Sequence, residues 1–428
     1  MPLDVLFVHN NFPAQFRNLA DHLSRQPNAR VRAIASQKAG TAAGVEVQRY
    51  RFSPGETAAV HTFARRFDQE CRRAEQVMYA ANALKVRGFD PALICVHPGW
   101  GEALPLRTLF PAAKICVYAE FYYHARGTDV GFDREFGQFG IDGETRVSLR
   151  NAASLLALAD ADYAVTPTHW QRSAYPREFQ SKIEVIHDGI DTDALKPNSD
   201  AGMRQDEEIV TYVARNLEPY RGFHSFMRAL PAVMRARPKA QIHIVGGDGV
   251  SYGNPPTDHA SWREAMLSEV GGQIDRSRVH FTGWLNYDSY LKLLRRSRVH
   301  VYLTYPFVLS WSILEAMALG CLVVGSNTPP VRELIEDGTN GLLVPFAEPY
   351  VIAERVIEAL ARQPRYQPLR QAARQTVIDR YDLRRIVLPA QTRLISRHLP
   401  GAFDGSGYSS RSKHVQNISL ESLPALQN

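Results

Sequence analysis

Short apolar runs rich in β-branched residues alternate with helix-period segments along almost the whole chain, and the alternation starts twice. The first series of runs covers residues 5–8, 31–35, 92–97, 115–118, 164–166 and 183–186. The second covers residues 209–214, 240–245, 279–282, 299–303 and 321–324. Strands that alternate with helices build a parallel sheet covered on both faces, and such runs need not alternate with polar residues. Residues 198–208 between the series are polar and contain glycine, which reads as a linker. The expected fold class is therefore α/β with two doubly wound domains, residues 1–197 and residues 205–383. No sequence repeat links the halves. In such sheets ligands bind beyond the carboxyl ends of the strands, so the loops leaving those ends are where chemistry belongs.

A chain of 428 residues with 45% hydrophobic residues can bury two cores of this size. The net charge of +6 suits anionic ligands or an anionic membrane surface. No dense Lys/Arg run with interleaved aromatics occurs, so nucleic acid is not an expected partner. Cys71, Cys95, Cys116 and Cys321 have neither metal-ligand nor CxxC spacing and read as free thiols of a reducing compartment. No cleavable leader is read at the N-terminus, and no apolar run approaches the ~20 residues of a membrane span. The expected location is cytoplasmic. Residues 62–86 form a long helical stretch carrying Arg65, Arg66, Arg72, Arg73 and Lys85, with Arg87 just beyond it. That face suits an anionic acceptor or peripheral contact with the inner face of a membrane; interleaved Asp68, Glu70 and Glu75 suit a solvated face with ion pairs.

In the first half, the loop after the first strand reads HNNFPAQF and has no glycine; Asn10, Asn11 and Gln15 offer side-chain donors or shape the turn. His97 closes a strand, with Gly99, Trp100, Gly101 and Glu102 after it. The next strand is followed by Glu120, Phe121, Tyr122, Tyr123 and His124. Both ends should face one crevice, where aromatics stack on sugar rings and His or Glu bonds hydroxyls. Residues 127–144 are rich in Gly and acid and read as a long loop, a candidate cover for an acceptor. Helical periodicity returns over residues 146–159.

In the second half, residues 307–333 read FVLSWSILEAMALGCLVVGSNTPPVRE. A helix-period segment, residues 310–319, carries Glu315 and ends at Gly320. A buried strand, a turn cluster and a second helix start at Pro329 and Pro330 follow. A carboxylate on one helix and a helix N-terminus beyond the strand suit a ribose and a phosphate. Upstream, Arg215 and Arg221 follow the first strand of this half. Two cations placed side by side after a strand suit an anionic ligand. Gly246 and Gly247 permit close backbone approach to a ligand.

LEAMALGCLVVGSNTPPVREL resembles the donor-binding signature of the family 4 retaining glycosyltransferases, which have the GT-B fold of two doubly wound, Rossmann-like domains facing across a cleft. The resemblance is specific over residues 314–324 and carries several expectations. The donor is a nucleotide-diphosphate sugar and the acceptor a glycan, a lipid-linked group or another hydroxyl compound, with no cofactor and no metal. Arg215 and Arg221, near the Arg and Lys of the family's GRLxxxKG stretch, hold the diphosphate. Glu315 accepts from the ribose. Trp284 and Leu285 adjoin the nucleobase, and backbone amides at Ser310, Trp311, Ser312, Thr328 and Val331 add donors. Many members carry a His near the transferred sugar after the strand at residues 115–118; Glu120 is the nearest match here and His124 lies four residues on, with His97 a further candidate from the neighbouring strand end. The helix over residues 384–399 crosses back onto the first domain, and residues 400–428 form a disordered tail. Asp188 stands where the family's interdomain segment commonly has Asn. The departure is at Phe307: the family has Glu there, eight positions before Glu315, and Ser310 and Trp311 replace its Gly and Leu. Two competing readings follow, a catalytically degenerate GT-B protein that binds sugar or a partner, and another GT-B activity such as an epimerase or phosphorylase. A nucleotide-sugar hydrolysis panel separates them.

Overall fold

The computed structural model describes residues 3–136, 139–197 and 207–402. Seven strands form the first sheet: β1 (Leu3–Val8), β2 (Ala29–Ser36), β3 (Glu46–Tyr50), β4 (Leu93–Val96), β5 (Lys114–Tyr118), β6 (Tyr163–Thr166) and β7 (Ile183–Val185), in the order β3-β2-β1-β4-β5-β6-β7. Six form the second: β8 (Ile209–Asn216), β9 (Gln241–Gly247), β10 (Val279–Gly283), β11 (Val299–Tyr302), β12 (Leu322–Ser326) and β13 (Leu342–Val344), in the order β10-β9-β8-β11-β12-β13. Every strand pair is parallel. Helices cover both faces of each sheet, which is why the central strands are buried along their length.

The strand order reverses between β1 and β4 and again between β8 and β11, and these two reversals place the chemistry. Val8 pairs with Val96, so the loops after β1 and β4 leave side by side. Tyr212 pairs with Val301, so the loop carrying Arg221 leaves beside the one carrying Phe307. The two crevices face each other.

Sequence and structure differ in four places. β3 and β13 are edge strands; EVQRY is too polar to stand out as an apolar run. The helix expected over residues 146–159 is two helices, Ile141–Leu149 and Ala152–Asp160, broken where Asn151 turns its amide group onto the Tyr123 backbone. Residues 127–136 are a strap between domains, not an open cover. Asp129 accepts from the Tyr220 hydroxyl at 2.8 Å, Asp133 lies 3.0 Å from His224, and Arg228 donates to both Glu135 oxygens. Finally, residues 383–387 form a π-type turn before the helix Leu388–His398. That helix packs Leu394 and Ile395 into the first-domain core and stacks His398 on Tyr163, with ring centroids 4.0 Å apart. The polar linker lies largely, and the C-terminal tail almost wholly, outside the described residues.

Candidate functional site

On the second domain, β8 ends in Arg215 and Asn216, and a short turn delivers Arg221 into the core. Arg221 is 8% exposed. Its Nη1 donates to Thr304 Oγ1 at 2.8 Å, the Val308 carbonyl at 3.0 Å and Tyr302 Oη at 3.4 Å. The guanidinium carbon lies 5.4 Å from the Tyr252 ring centroid and 5.8 Å from that of Phe307. Among the described residues no carboxylate pairs with it. Glu218, one possible partner, instead accepts from the backbone N–H groups of Ser251, Tyr252 and Gly253 and ties down the loop after β9. Tyr302 Oη also accepts from the Ser310 N–H at 2.8 Å, so Arg221 connects through one hydroxyl to the start of the helix Trp311–Ala318.

Glu315 lies one turn along that helix. Tyr287 donates to Oε1 at 2.9 Å and Tyr290 to Oε2 at 2.8 Å. Burial raises its carboxyl above the ordinary value, against the pull of those two hydroxyls. A cavity of about 300 Å³ opens beside it between the domains, lined by Arg17, Asn18, Asp188, Tyr287 and Trp311 among others. Each carboxylate oxygen keeps a second acceptor direction, so two ribose hydroxyls can be served without displacing the tyrosines.

Other expected residues are placed differently. Arg215 is exposed; its carbonyl accepts from Trp284 Nε1 at 2.8 Å, and its side chain has no hydrogen-bond or ion-pair partner among the described residues. A methyl on Gly247 would sit 2.7 Å from the Trp284 ring, and one on Gly246 2.8 Å from Leu217 and the Ala214 carbonyl. The space these glycines leave is occupied on the protein side by Trp284, Leu217 and the Ala214 carbonyl. Leu285 is half-buried and packs against a second-domain core cluster. The backbone donors expected around the second helix start are not there. Pro329 and Pro330 have no N–H, the Thr328 N–H bonds Ser326 O, and the Val331 N–H bonds Thr328 O. At the first helix start, the Ser310 amide is taken by Tyr302 and the Ser312 amide by Ser310 Oγ. Trp311 keeps a first-turn amide that the helix itself cannot satisfy.

Phe307 is 3% exposed and joins the domains. Its ring centroid lies 4.7 Å from Phe121, 4.8 Å from Tyr252 and 5.5 Å from Tyr220. Where a carboxylate would face sugar hydroxyls there is an aromatic contact between β5 and β11 loops. Two further links close the same seam: Trp311 Nε1 donates to Asp188 at 2.8 Å, and Glu333 accepts from the His169 and Trp170 amides at the start of a first-domain helix.

On the first domain the structure brings His97 and Glu120 together, Nε2 to Oε2 at 3.3 Å. The Gly99 N–H donates to His97 Nδ1, which assigns the proton to Nε2, facing Glu120. Gln15 donates to the other Glu120 oxygen at 2.8 Å and accepts from His9. Burial alone would raise Glu120, but the bonds from His97 and Gln15 outweigh it and hold the carboxyl below its ordinary value. Burial, then the nearby His97, push His9 down to about 3, so it is neutral. The Trp100 ring covers His97 at 4.7 Å. His124 is turned away onto the Ala174 carbonyl. His9 was not among the expected site residues, although its place at the end of β1 beside the switch point marked it.

Glu102 is fully buried behind this centre, accepting from Tyr50 at 2.5 Å and the Asn10 N–H at 3.0 Å. Burial raises it to about 7. The folded state therefore holds a proton that the unfolded chain releases above its ordinary carboxyl range, and stability falls as pH rises from about 4.5 to about 7. Glu102→Gln removes that contribution. The variant's Tm should decline less than the wild type's over this window in a calorimetric pH series; parallel declines would assign the proton elsewhere.

Comparison with known proteins follows the same division. Residues 27–195 match the family described as glycosyl transferase family 4 group, and residues 207–362 match glycosyl transferases group 1. The phosphatidyl-myo-inositol mannosyltransferase of Mycobacterium leprae is 28% identical over 219 residues, 50% of this chain and 52% of that protein. The match thus spans about half of that relative's length. Among solved structures, sucrose-phosphate synthase of Thermosynechococcus elongatus superposes with TM-score 0.71 at 18% identity, covering 93% of this chain and 99% of that one. The Anabaena protein HepE in complex with UDP gives 0.64 at 16%, covering 92% and 100%. With both sheets, the Leu314–Val324 signature and both domain matches in agreement, the chain belongs to the family 4 glycosyltransferases and has the GT-B fold.

Proposed function

We propose that the protein moves a sugar, with retention of anomeric configuration, from a nucleotide-diphosphate sugar on the second domain to a hydroxyl of a glycan or lipid-linked acceptor on the first. The observation that carries the reading is Arg221, a guanidinium buried among neutral acceptors and aromatic faces without a carboxylate. A buried cation is costly unless a charge meets it. The departing diphosphate supplies that charge, and its negative charge grows as the sugar–oxygen bond breaks. The acceptor oxygen bonds to the anomeric carbon on the face the diphosphate leaves, and the acceptor proton passes to a diphosphate oxygen. Arg215, exposed at the end of β8, adds a second cation when the donor is bound. Diphosphate charge is met by guanidinium groups and the start of the helix Trp311–Ala318, with no cofactor called for. Glu315 holds the ribose, and Trp284 and Leu285 border the base. His97 and Glu120 orient sugar hydroxyls from the opposite side, taking the role that Phe307 cannot fill. HepE was solved with UDP, which supports a nucleotide at this place in the fold. The mannosyltransferase acts, by its name, on a phosphoinositide, which supports a lipid-linked acceptor and a peripheral membrane contact. No helix among the described residues is long and apolar enough to cross a membrane.

The ribose role is tested by Glu315→Gln. Replacing one anionic acceptor by a neutral amide should weaken nucleoside-diphosphate binding at least tenfold, about 1.4 kcal/mol, without loss of fold. Equal affinities in titration calorimetry would remove Glu315 from the site.

A further inference from the structure

The first domain carries a second cationic centre that the donor reading does not use. Arg66, Glu70 and Arg73 sit at i, i+4 and i+7 of the helix Arg65–Val86 and share the face turned toward the loop after β4. Arg66 Nε pairs with Glu70 at 2.8 Å, and its Nη2 donates to the Gly99 carbonyl at 3.0 Å. Arg73 Nη1 donates to the Trp100 carbonyl at 3.1 Å. Arg150, from the break between two helices, lies over the Tyr123 ring at 4.0 Å. Three guanidinium groups thus surround Glu70, the one carboxylate ion-paired among them, while Arg73 also faces Tyr50 and the buried Glu102. Arg150 is close enough to Arg66 that, after burial and despite Glu70, its like charge adds to the lowering of Arg66. Hydrogen bonding is incomplete as well. Arg73 Nε and Arg150 Nε are buried without a partner, and so is Glu70 Oε2. Native interiors rarely leave such groups unmet, and like charges are rarely gathered without an anion.

The centre is open to solvent and adjoins the cleft. The Arg66 side chain is 42% exposed. Trp100, held by Arg73, covers His97, and Tyr123, beneath Arg150, lies 6.5 Å from Phe307. A group bound by these arginines is therefore next to the His97–Glu120 pair.

We propose that Arg66, Arg73 and Arg150 bind a phosphoryl group carried by the acceptor. This rests on the reading above, since it names the class of acceptor served by the first-domain side of that cleft. A dianionic phosphoryl group balances the excess charge, and its oxygens match guanidinium donors two at a time. The acceptor is then a sugar or polyol phosphate or a phospholipid headgroup, and a neutral glycan alone would leave the centre uncompensated.

The test is calorimetric titration of the full chain with inorganic pyrophosphate, which both cationic centres should bind. The wild type is expected to show two sites. Arg66→Gln/Arg150→Gln should weaken one at least tenfold and keep the other; Arg221→Gln should do the reverse. Loss in the second variant reports on the donor reading and loss in the first on this proposal, so either can fail alone. Arg66→Gln by itself, at an exposed position, should weaken the same site at least threefold, which guards against misfolding of the double variant. Wild-type stoichiometry and affinity in both the single and the double variant would overturn the proposal. Flotation with phosphatidylcholine vesicles, with and without phosphatidic acid, separates the sources. Capture by the anionic vesicles that pyrophosphate displaces places the phosphoryl group on a lipid, and pyrophosphate binding without capture places it on a soluble acceptor.

Discussion

Arg221→Gln is expected to lower kcat about a hundredfold, about 2.7 kcal/mol of transition-state stabilisation, with a smaller change in KM. The split between the two constants is the informative part. Arg221 is fixed in place by Thr304, Val308 and Tyr302 before any ligand arrives. A preorganised cation does not reorganise when charge develops, so its contribution is largest at the transition state. Glutamine removes the charge and ends two bonds short of the Nη1 position that meets Thr304. Arg221→Lys should also fall well below the wild type, because an ammonium cannot reach Thr304, Val308 and the ligand as a planar fork does. Wild-type turnover in both variants, measured by nucleoside-diphosphate release, would remove the residue from the chemistry.

The second large effect is expected at Phe307. Phe307→Ala opens a hole among Phe121, Tyr220 and Tyr252 and should cost about 3–5 kcal/mol in chemical denaturation. Turnover should fall with it, because the ring holds the two crevices in register. Phe307→Glu restores the residue usual in the family yet should give no gain. Its carboxylate would enter an aromatic cluster with Arg221 as the nearby cation, and an ion pair formed there takes Arg221 away from the diphosphate. A Phe307→Glu protein that transfers sugar faster than the wild type would mean that Phe307 disables a once-active site, and would favour the degenerate reading.

Much of this was legible in the chain. The double series of strand and helix signals set the architecture, because apolar runs and helical periods are local properties. The absence of Glu at Phe307 was visible too, but not its consequence, since Phe121 and Tyr252 reach it from distant parts of the chain. Asp188 meeting Trp311, and Glu333 capping a first-domain helix, were hidden for the same reason. The Thr328 and Val331 amides were read as donors, yet each bonds within its own turn, to the Ser326 and Thr328 carbonyls, and only the folded backbone shows that pairing. Arg66, Glu70 and Arg73 lie on one helical face, whereas Arg65 and Arg72 lie elsewhere, a division that counting the segment's charges did not draw.

The central claim is that a nucleotide-diphosphate sugar is cleaved between the two crevices with Arg221 receiving the diphosphate. Its most direct measurement is nucleoside-diphosphate release by the purified full chain against a panel of UDP, GDP and ADP sugars, run in parallel with Arg221→Gln. Release from at least one donor, reduced about a hundredfold in the variant, is the predicted result. Binding of the nucleotides with no release from any donor, or release that Arg221→Gln leaves unchanged, would contradict it.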